Sequence, residues 1–200
     1  MWFDFNNIPV ILASASPRRK ELLASVGIQF NVIPSQIDEK ALAASLVQQS
    51  SFSPEQYVKT LALAKGKDVA SRNRNALVIS ADTIVVLDNK ILEKPVDKAE
   101  ACHMLGNLQN QTHTVWTAIA VFYQQQELVS ALSTQVTMRK LSSKQIEAYV
   151  NTDEPMDKAG AYAIQGLGSV LIEKIDGCYT NVVGLSLPLL YNLVTNIRFD

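Results

Sequence analysis

Apolar and polar positions along this chain switch between the period of a strand and the period of a helix. The apolar run Ile8 to Ala13 reads as a buried strand, which breaks into the small hydroxyl residues Ser14 and Ser16 before Pro17 opens a helix. Leu22, Leu23 and Val26 give that helix an apolar side, and Gly27 marks its end. Ile28 to Ile33 predicts a second strand, closed by Pro34, and Ser35 to Glu39 reads as a loop before a short helix over Lys40 to Val47. Ser50 to Ser53 is polar and turn-like. With Ser53 as cap, Pro54 in the first turn and Gln56 completing a capping box, it predicts a helix running to about Ser71.

Ala76 to Leu87 is the most strand-like run, and the Asp88-Asn89 turn signal predicts a short return strand at Ile91-Leu92. Asp97 and Glu100 form a second capping box, for a helix to about Leu108. Thr112 to Tyr123 and Glu127 to Arg139 read as two long strands in an antiparallel pair. Ser142 and Gln145 cap the helix that follows, with Leu141 and Ile146 spaced as a hydrophobic staple. Ala161 to Gln165 and Ser169 to Ile175 are expected as strands, and Leu185 to Ile197 as a closing helix with Pro188 in its first turn. No repeat, low-complexity linker or clear domain boundary interrupts the pattern, so an α/β fold in a single domain over 1–200 is expected.

Composition narrows the function classes. At 200 residues and 48% apolar, the chain has ample core-forming material. A net charge of −1 without long charged runs argues against non-specific nucleic-acid binding and against membrane-surface attachment. Cys102 and Cys178 make neither a disulfide framework nor a zinc set, and His103 and His113 are isolated, which reads as structural. Met1-Trp2-Phe3-Asp4 does not open a signal peptide, and no apolar run reaches membrane-spanning length, so a cytoplasmic protein is expected.

Several polar residues stand where the pattern calls for apolar ones or where a turn can gather them. The strand, tight turn and helix start at Ser14-Ala-Ser-Pro-Arg-Arg19 is an anion-site arrangement, with free N–H groups, the positive end of a helix dipole and the two cations Arg18 and Arg19. Asp82 sits inside an otherwise apolar strand, where a carboxylate is costly unless paired, protonated or bound to metal. Lys65 falls on the stripe of Val58, Leu61, Ala62 and Val69, so its ammonium must snorkel or meet an anion. Lys94, held extended before Pro95, points away from any helix. As a set, Arg18, Arg19, Lys65 and Lys94 suit a polyphosphate, and Glu39 and Asp82 are hard oxygen ligands for Mg²⁺ or Mn²⁺. The chain carries no P-loop, and Gly166-Leu-Gly168 is too fragmentary for a dinucleotide fingerprint.

SASPRR at Ser14 to Arg19, ADTIV at Ala81 to Val85, EKP at Glu93 to Pro95, DKAGAYAIQG at Asp157 to Gly166 and NVVGLSL at Asn181 to Leu187 resemble the motifs of the Maf family of nucleotide pyrophosphatases, in that family's order. The resemblance runs from about Ile8 to Leu190. It implies a large twisted mixed sheet flanked by helices, with two lobes around a central cleft. It also implies hydrolysis of a nucleoside triphosphate to the monophosphate and pyrophosphate, a divalent cation and a homodimer. Position by position, it puts the proton acceptor on Asp82 and other essential polar groups on Ser16, Arg19, Glu39, Lys65 and Lys94. Whether Asp82 serves as base, as metal ligand or as both stays open at this point.

Three positions carry the resemblance to the subgroup acting on dTTP and UTP: Arg18, Thr83 and Gln165. A sister subgroup acting on 7-methyl-GTP resembles SPWR, SDQ and SEG there. The difference has physical logic. A cationic 7-methylguanine suits a tryptophan face and a glutamate, whereas a uracil or thymine edge needs both a donor and an acceptor, which an amide supplies. The alternatives are the same chemistry on 7-methyl-GTP or another modified nucleotide, or a nucleotide-binding regulator of septum formation, with which the family is associated. Three departures from the family's pattern, Gly66, Ala163 and Ser186, are expected to alter loop detail at most.

Overall fold

The computed structural model describes Phe3, Phe5 and residues 7–47 and 53–199, so the expectations for Met1, Trp2, Asp4 and Ser50 to Phe52 lie outside the described residues. The opening strand is Val10–Leu12 (β1) and the helix after it Pro17–Ser25 (α1). The Gly27 N–H donates to Ala24 O and the Ile28 N–H to Leu23 O, with Gly27 at φ 77°; this is the Schellman closure that Gly27 predicts. Ile28 is thereby used to close the helix, and the second strand shrinks to Asn31–Val32 (β2) at the end of the sheet.

The next helix, Glu39–Val47 (α2), starts one residue before the expected position because Asp38 Oδ1 accepts the Ala41 N–H. Pro54–Arg72 (α3) follows, but Ser53 makes no side-chain cap bond, so that predicted capping box does not form. The proline has already removed one of the donors a cap would satisfy. Gln56 instead turns its amide to Thr60 Oγ1.

Leu77–Leu87 (β3) and Lys90–Leu92 (β4) are an antiparallel hairpin. Asp88 and Asn89 between them take φ 48° and 62°, the paired left-handed conformations of a type I′ turn. In Lys98–Leu108 (α4), Asp97 accepts the Glu100 N–H at 2.8 Å, but Glu100 reaches back to the Val96 N–H rather than to the cap residue. Thr112–Tyr123 (β5) and Gln126–Met138 (β6) are sheet neighbours joined by two residues, as a hairpin requires. The box at Ser142 and Gln145 is complete before Ser143–Val150 (α5), and Ile146 and Leu141 both join the apolar cluster there.

The strands expected at Ala161 to Gln165 and from Ser169 are not formed. Short 3-10 turns occupy Glu154–Asp157, Ala159–Ala161 and Gly166–Leu171, and the strand is Ile172–Asp176 (β7), antiparallel to β6. Gly160, Ala161 and Gly166 all have positive φ, which no continuous strand accommodates. An unexpected short helix, Tyr179–Val183 (α6), precedes Leu187–Thr195 (α7), which carries Pro188 in its first turn as expected.

The sheet has seven strands in the order β2-β1-β3-β5-β6-β7, with β4 on β3. Since β1 runs parallel to both β2 and β3 while β4 and β7 pair antiparallel, the sheet is mixed and the fold is α/β, as expected. Two compact units share the chain. One gathers the described residues of Met1–Asp82 and Gly184–Asp200 with Thr117–Leu132, and the other holds Thr83–Trp116 and Ser133–Val183. The first buries Leu12, Leu23, Val58, Leu77, Ile79 and Leu190; the second is built on Leu105, Leu108, Val136, Met138, Ile146 and Val150. Among the described residues no helix is long and apolar enough to cross a membrane.

Candidate active site

Sheet register places the first group of site residues. Leu12 stands opposite Ile79 in the parallel β1–β3 pair, so Asp82 lies just past the carboxyl end of β1, where the Ser14 turn begins. Carboxyl ends of parallel strands are the usual ligand side of an open α/β sheet. Ser80 and Asp82, two apart on β3, share one face. Ser80 Oγ donates to Ala62 O of α3, so this face looks onto α3, and Lys65 is one turn beyond Ala62.

Lys65 therefore does not snorkel. It is 6% exposed, and its ammonium donates to Asp82 Oδ1 at 2.6 Å and to Glu39 Oε2 at 3.0 Å. Lys67, off the stripe, is exposed. Asp82 is buried and its second oxygen, Oδ2, has no hydrogen-bond partner. Such an orphaned acceptor is costly in a core and marks a group kept for a proton, a water or a cation.

Glu39, more than half exposed, reaches the same ammonium from the first turn of α2. The loop that leads into Glu39 is tied to α3 by Asp68, a residue the sequence does not single out. Asp68 Oδ2 accepts the Gln36 N–H at 2.9 Å and the Arg72 guanidinium at 2.7 Å. The hydrogen bond from Gln36 is the largest cause holding the Asp68 carboxyl below its usual pKa; burial opposes it, and Arg72 and Ser35 add to it. Asp68 lies on α3 at i+3 from Lys65, which is the signal that could have found it.

The Ser14 turn is organised around Arg19. Arg19 Nη1 and the Ser16 N–H both donate to Ser14 Oγ, at 3.1 and 3.3 Å, while Arg19 Nε donates to Gly184 O at 2.8 Å. The NVVG segment thus contributes a carbonyl that aims Arg19, a role invisible in the sequence because 165 residues separate the pair. Burial lowers the Arg19 pKa; Asp82 and then Glu39 oppose that, and Arg18 adds to it. These four charged groups share one field. Ser16 precedes Pro17 without a side-chain cap bond at the start of α1.

Ser14, Ser16, Arg18, Arg19, Glu39, Lys65 and Asp82 all belong to the first unit. Lys94, exposed after β4, Thr83, half-buried in β3, and Gln165, half-buried at the head of the Gly166–Leu171 turn, belong to the second.

The family pattern fits this arrangement over nearly the whole chain. Residues 9–197 match the Maf family, described as Maf-like protein. The chain belongs to the Maf family. A protein of Gloeobacter violaceus named dTTP/UTP pyrophosphatase is 48% identical over 193 residues, covering 96% of this chain and 97% of its own. Relatives of the same name from Symbiobacterium thermophilum and Dictyoglomus turgidum are 47% and 44% identical, over 95% and 96% of this chain and 94% and 97% of theirs.

Two of the three departures from the family's pattern, Ser186 and Gly66, do more than adjust loops. Ser186 is buried and accepts the Leu189 N–H as the cap of α7. Ala163 lies in irregular chain, and its contact to Tyr149 Oη is made by the backbone N–H, which a glycine would supply equally. Gly66 lies in the middle of α3, where an added Cβ would collide with the Phe122 ring and come within 2.5 Å of Ser80 Oγ. The missing side chain lets α3 settle on β3 and brings Lys65 down to Asp82.

Proposed function

We propose that this protein hydrolyses dTTP and UTP to the monophosphate and pyrophosphate. One observation carries the reading: a buried Asp82 with Oδ1 held by Lys65 and Oδ2 unpartnered, in the field of Arg19 at the start of α1. The names of the Gloeobacter and Symbiobacterium relatives support the substrate class.

In this reading Asp82 Oδ2 accepts the proton of the water that attacks phosphorus at the α–β anhydride. The phosphorus–oxygen bond of the anhydride breaks as the new one forms, and pyrophosphate departs. Arg19, Ser16 and the N–H groups of α1 bind the phosphates, and Ser14 holds Arg19 and the turn in place. Lys65 orients Asp82 and adds positive charge, and Lys94 is assigned to the phosphates as a further cation. Arg18, Thr83 and Gln165 are assigned to the base, with the Gln165 amide offering one donor and one acceptor to a pyrimidine edge.

Among the described residues no cluster of three or more His, Cys, Asp or Glu side chains could hold a metal ion by itself. Glu39 and Asp82 nonetheless fit Mg²⁺ or Mn²⁺, which commonly take one or two carboxylates and complete their shell with water and substrate phosphates. Asp82 Oδ2 is unpartnered and has two lone-pair sites, so one would face such an ion while the other faces the water. When bound, the ion neutralises phosphate charge and lowers the pKa of bound water.

Pyrophosphate release from canonical and modified triphosphates, with Mg²⁺, Mn²⁺ or EDTA, tests this reading. Turnover of dTTP and UTP that disappears in EDTA and in Asp82→Asn is expected. A well-folded protein that turns over no nucleotide would overturn it. Gln165→Glu is expected to weaken dTTP and UTP use, and unchanged selectivity would remove Gln165 from the base pocket.

A further inference from the structure

The fragment Gly166-Leu-Gly168 found no use as a nucleotide fingerprint, yet it sits against a carboxylate. Glu154 Oε2 accepts the Leu167 N–H at 3.0 Å, and Oε1 accepts the Gly168 N–H and the Tyr149 hydroxyl, each at 2.9 Å. The same Tyr149 oxygen accepts the Ala163 N–H at 3.3 Å. The segment from Ala163 to Gly168 is therefore pinned at both ends by one Glu–Tyr pair, and Gln165 lies between the pins.

The two glycines are what let the carboxylate come so close. A Cβ on Gly166, whose φ is +68°, would stand 2.7 Å from Glu154 Oε2. A Cβ on Gly168 would stand 2.5 Å from both Tyr149 Oη and Ala163 O. Glu154 is itself fixed from behind, because Thr152 Oγ1 accepts its N–H and Lys158 donates to its carbonyl.

We infer that Glu154 and Tyr149 are positioning residues for nucleotide selectivity, holding the Gln165 amide at the orientation in which it reads the base. The inference rests on the reading of Gln165 as the residue that meets the base. An ionised carboxylate suits the task, since three donors converge on it and it has acceptors for all of them. Burial pushes the Glu154 carboxyl upward, but the Gly168 and Leu167 N–H groups, Tyr149 and Lys158 together hold it below its usual pKa. A glutamine cannot replace it, because its NH₂ would face at least one of the three donors.

The test compares wild type, Glu154→Gln, Tyr149→Phe and Gln165→Ala in steady-state hydrolysis of UTP and CTP, with amide hydrogen exchange at Leu167 and Gly168. Glu154→Gln is expected to raise KM for UTP about tenfold and to cut the UTP-over-CTP preference by a similar factor, the loss of one charge-assisted hydrogen bond. Its kcat should change less than about threefold, because no group at the phosphates moves. Tyr149→Phe, which removes one pin, should give a smaller shift in the same direction and carries the comparison if Glu154→Gln does not fold. Faster exchange at the two amides with an unchanged UTP-over-CTP preference would overturn the inference, as would a proportional loss of kcat on both nucleotides. Gln165→Ala separates the two readings: if it leaves the preference intact, the base assignment itself fails, and if it alone abolishes the preference, only the positioning role fails.

Discussion

Lys65 Nζ lies 2.6 Å from Asp82 Oδ1, and the two side chains are only 8% and 11% exposed. The contact to Glu39 is different in kind, because that carboxylate is 52% exposed and solvent screens it. Lys65 and Asp82 are thus a mutual requirement of the fold as well as parts of one site.

That relationship predicts a separation of stability from activity. Lys65→Met should destabilise the protein by about 3–5 kcal/mol, since it leaves a buried carboxylate unpaired. The double variant Lys65→Met with Asp82→Val should recover much of that loss while remaining inactive. Asp82→Asn should fold and lose about 10²–10⁴ in kcat, the range for removing a general base. Urea unfolding and pyrophosphate release check the three variants; a double variant no more stable than Lys65→Met would show that the pair is not coupled.

Gly66 supplies a second prediction. Gly66→Ala should be destabilising although alanine is the better helix former by about 1 kcal/mol, because the Phe122 ring and Ser80 Oγ occupy the place of its Cβ. Displacing α3 should also move Lys65 from Asp82 and lower kcat. Phe122→Leu in the Gly66→Ala background should restore part of both, as relief of overpacking does. Melting temperature and turnover are the readouts, and a Gly66→Ala protein as stable and active as wild type would sink the packing argument.

The regular elements were legible wherever one physical signal dominated. β5 and the Asp88-Asn89 hairpin follow from a long apolar, β-branched and aromatic run and from turn chemistry, and Lys65 and Asp82 stood out because each breaks an apolar pattern. Legibility failed where distant backbone groups decide. The segment from Ala161 to Gln165 looks like a strand, yet the Ala163 N–H within it is taken by Tyr149, and the Leu167 and Gly168 N–H groups after it by Glu154. Arg19 is aimed by the Gly184 carbonyl, and the loop before Glu39 is tied by Asp68 at the Gln36 N–H. None of these leaves a periodicity to read.

Asp68 gives a third prediction, since it tethers the loop that leads into Glu39. Asp68→Ala should release the Gln36 N–H and the Arg72 guanidinium with a small effect on stability, about 1 kcal/mol for exposed pairs and bonds. Glu39 would then be held less firmly over Lys65, so the concentration of Mg²⁺ needed for half-maximal rate should rise several-fold, while saturating Mg²⁺ restores most of kcat. Metal titrations of wild type, Asp68→Ala and Glu39→Gln check this. An Asp68→Ala titration identical to wild type would uncouple the tether from the site.

His113 gives the last. It is 2% exposed on β5, its Nε2 lies 2.6 Å from the Tyr162 hydroxyl, and its Nδ1 is buried without a partner. Burial lowers its pKa to about 4, and burial followed by the nearby Tyr149 raises that of Tyr162. The folded state therefore holds the imidazole neutral, whereas the unfolded chain protonates it near the ordinary value of 6.5. The unfolded state binds more protons between these values, so stability rises with pH across the window. The contribution is complete above about pH 6.5 and is lost as the pH falls towards about 4, at up to roughly 1.4 kcal/mol per unit. His113→Gln keeps a hydrogen-bonding group for Tyr162 but cannot titrate. Urea unfolding from pH 7.5 to 4.5 should give a stability difference between wild type and His113→Gln that narrows steadily on acidification, by about 2 kcal/mol. A difference that stays constant over that range would mean that the imidazole titrates alike in the folded and unfolded states, and would overturn the assignment of a neutral, buried His113.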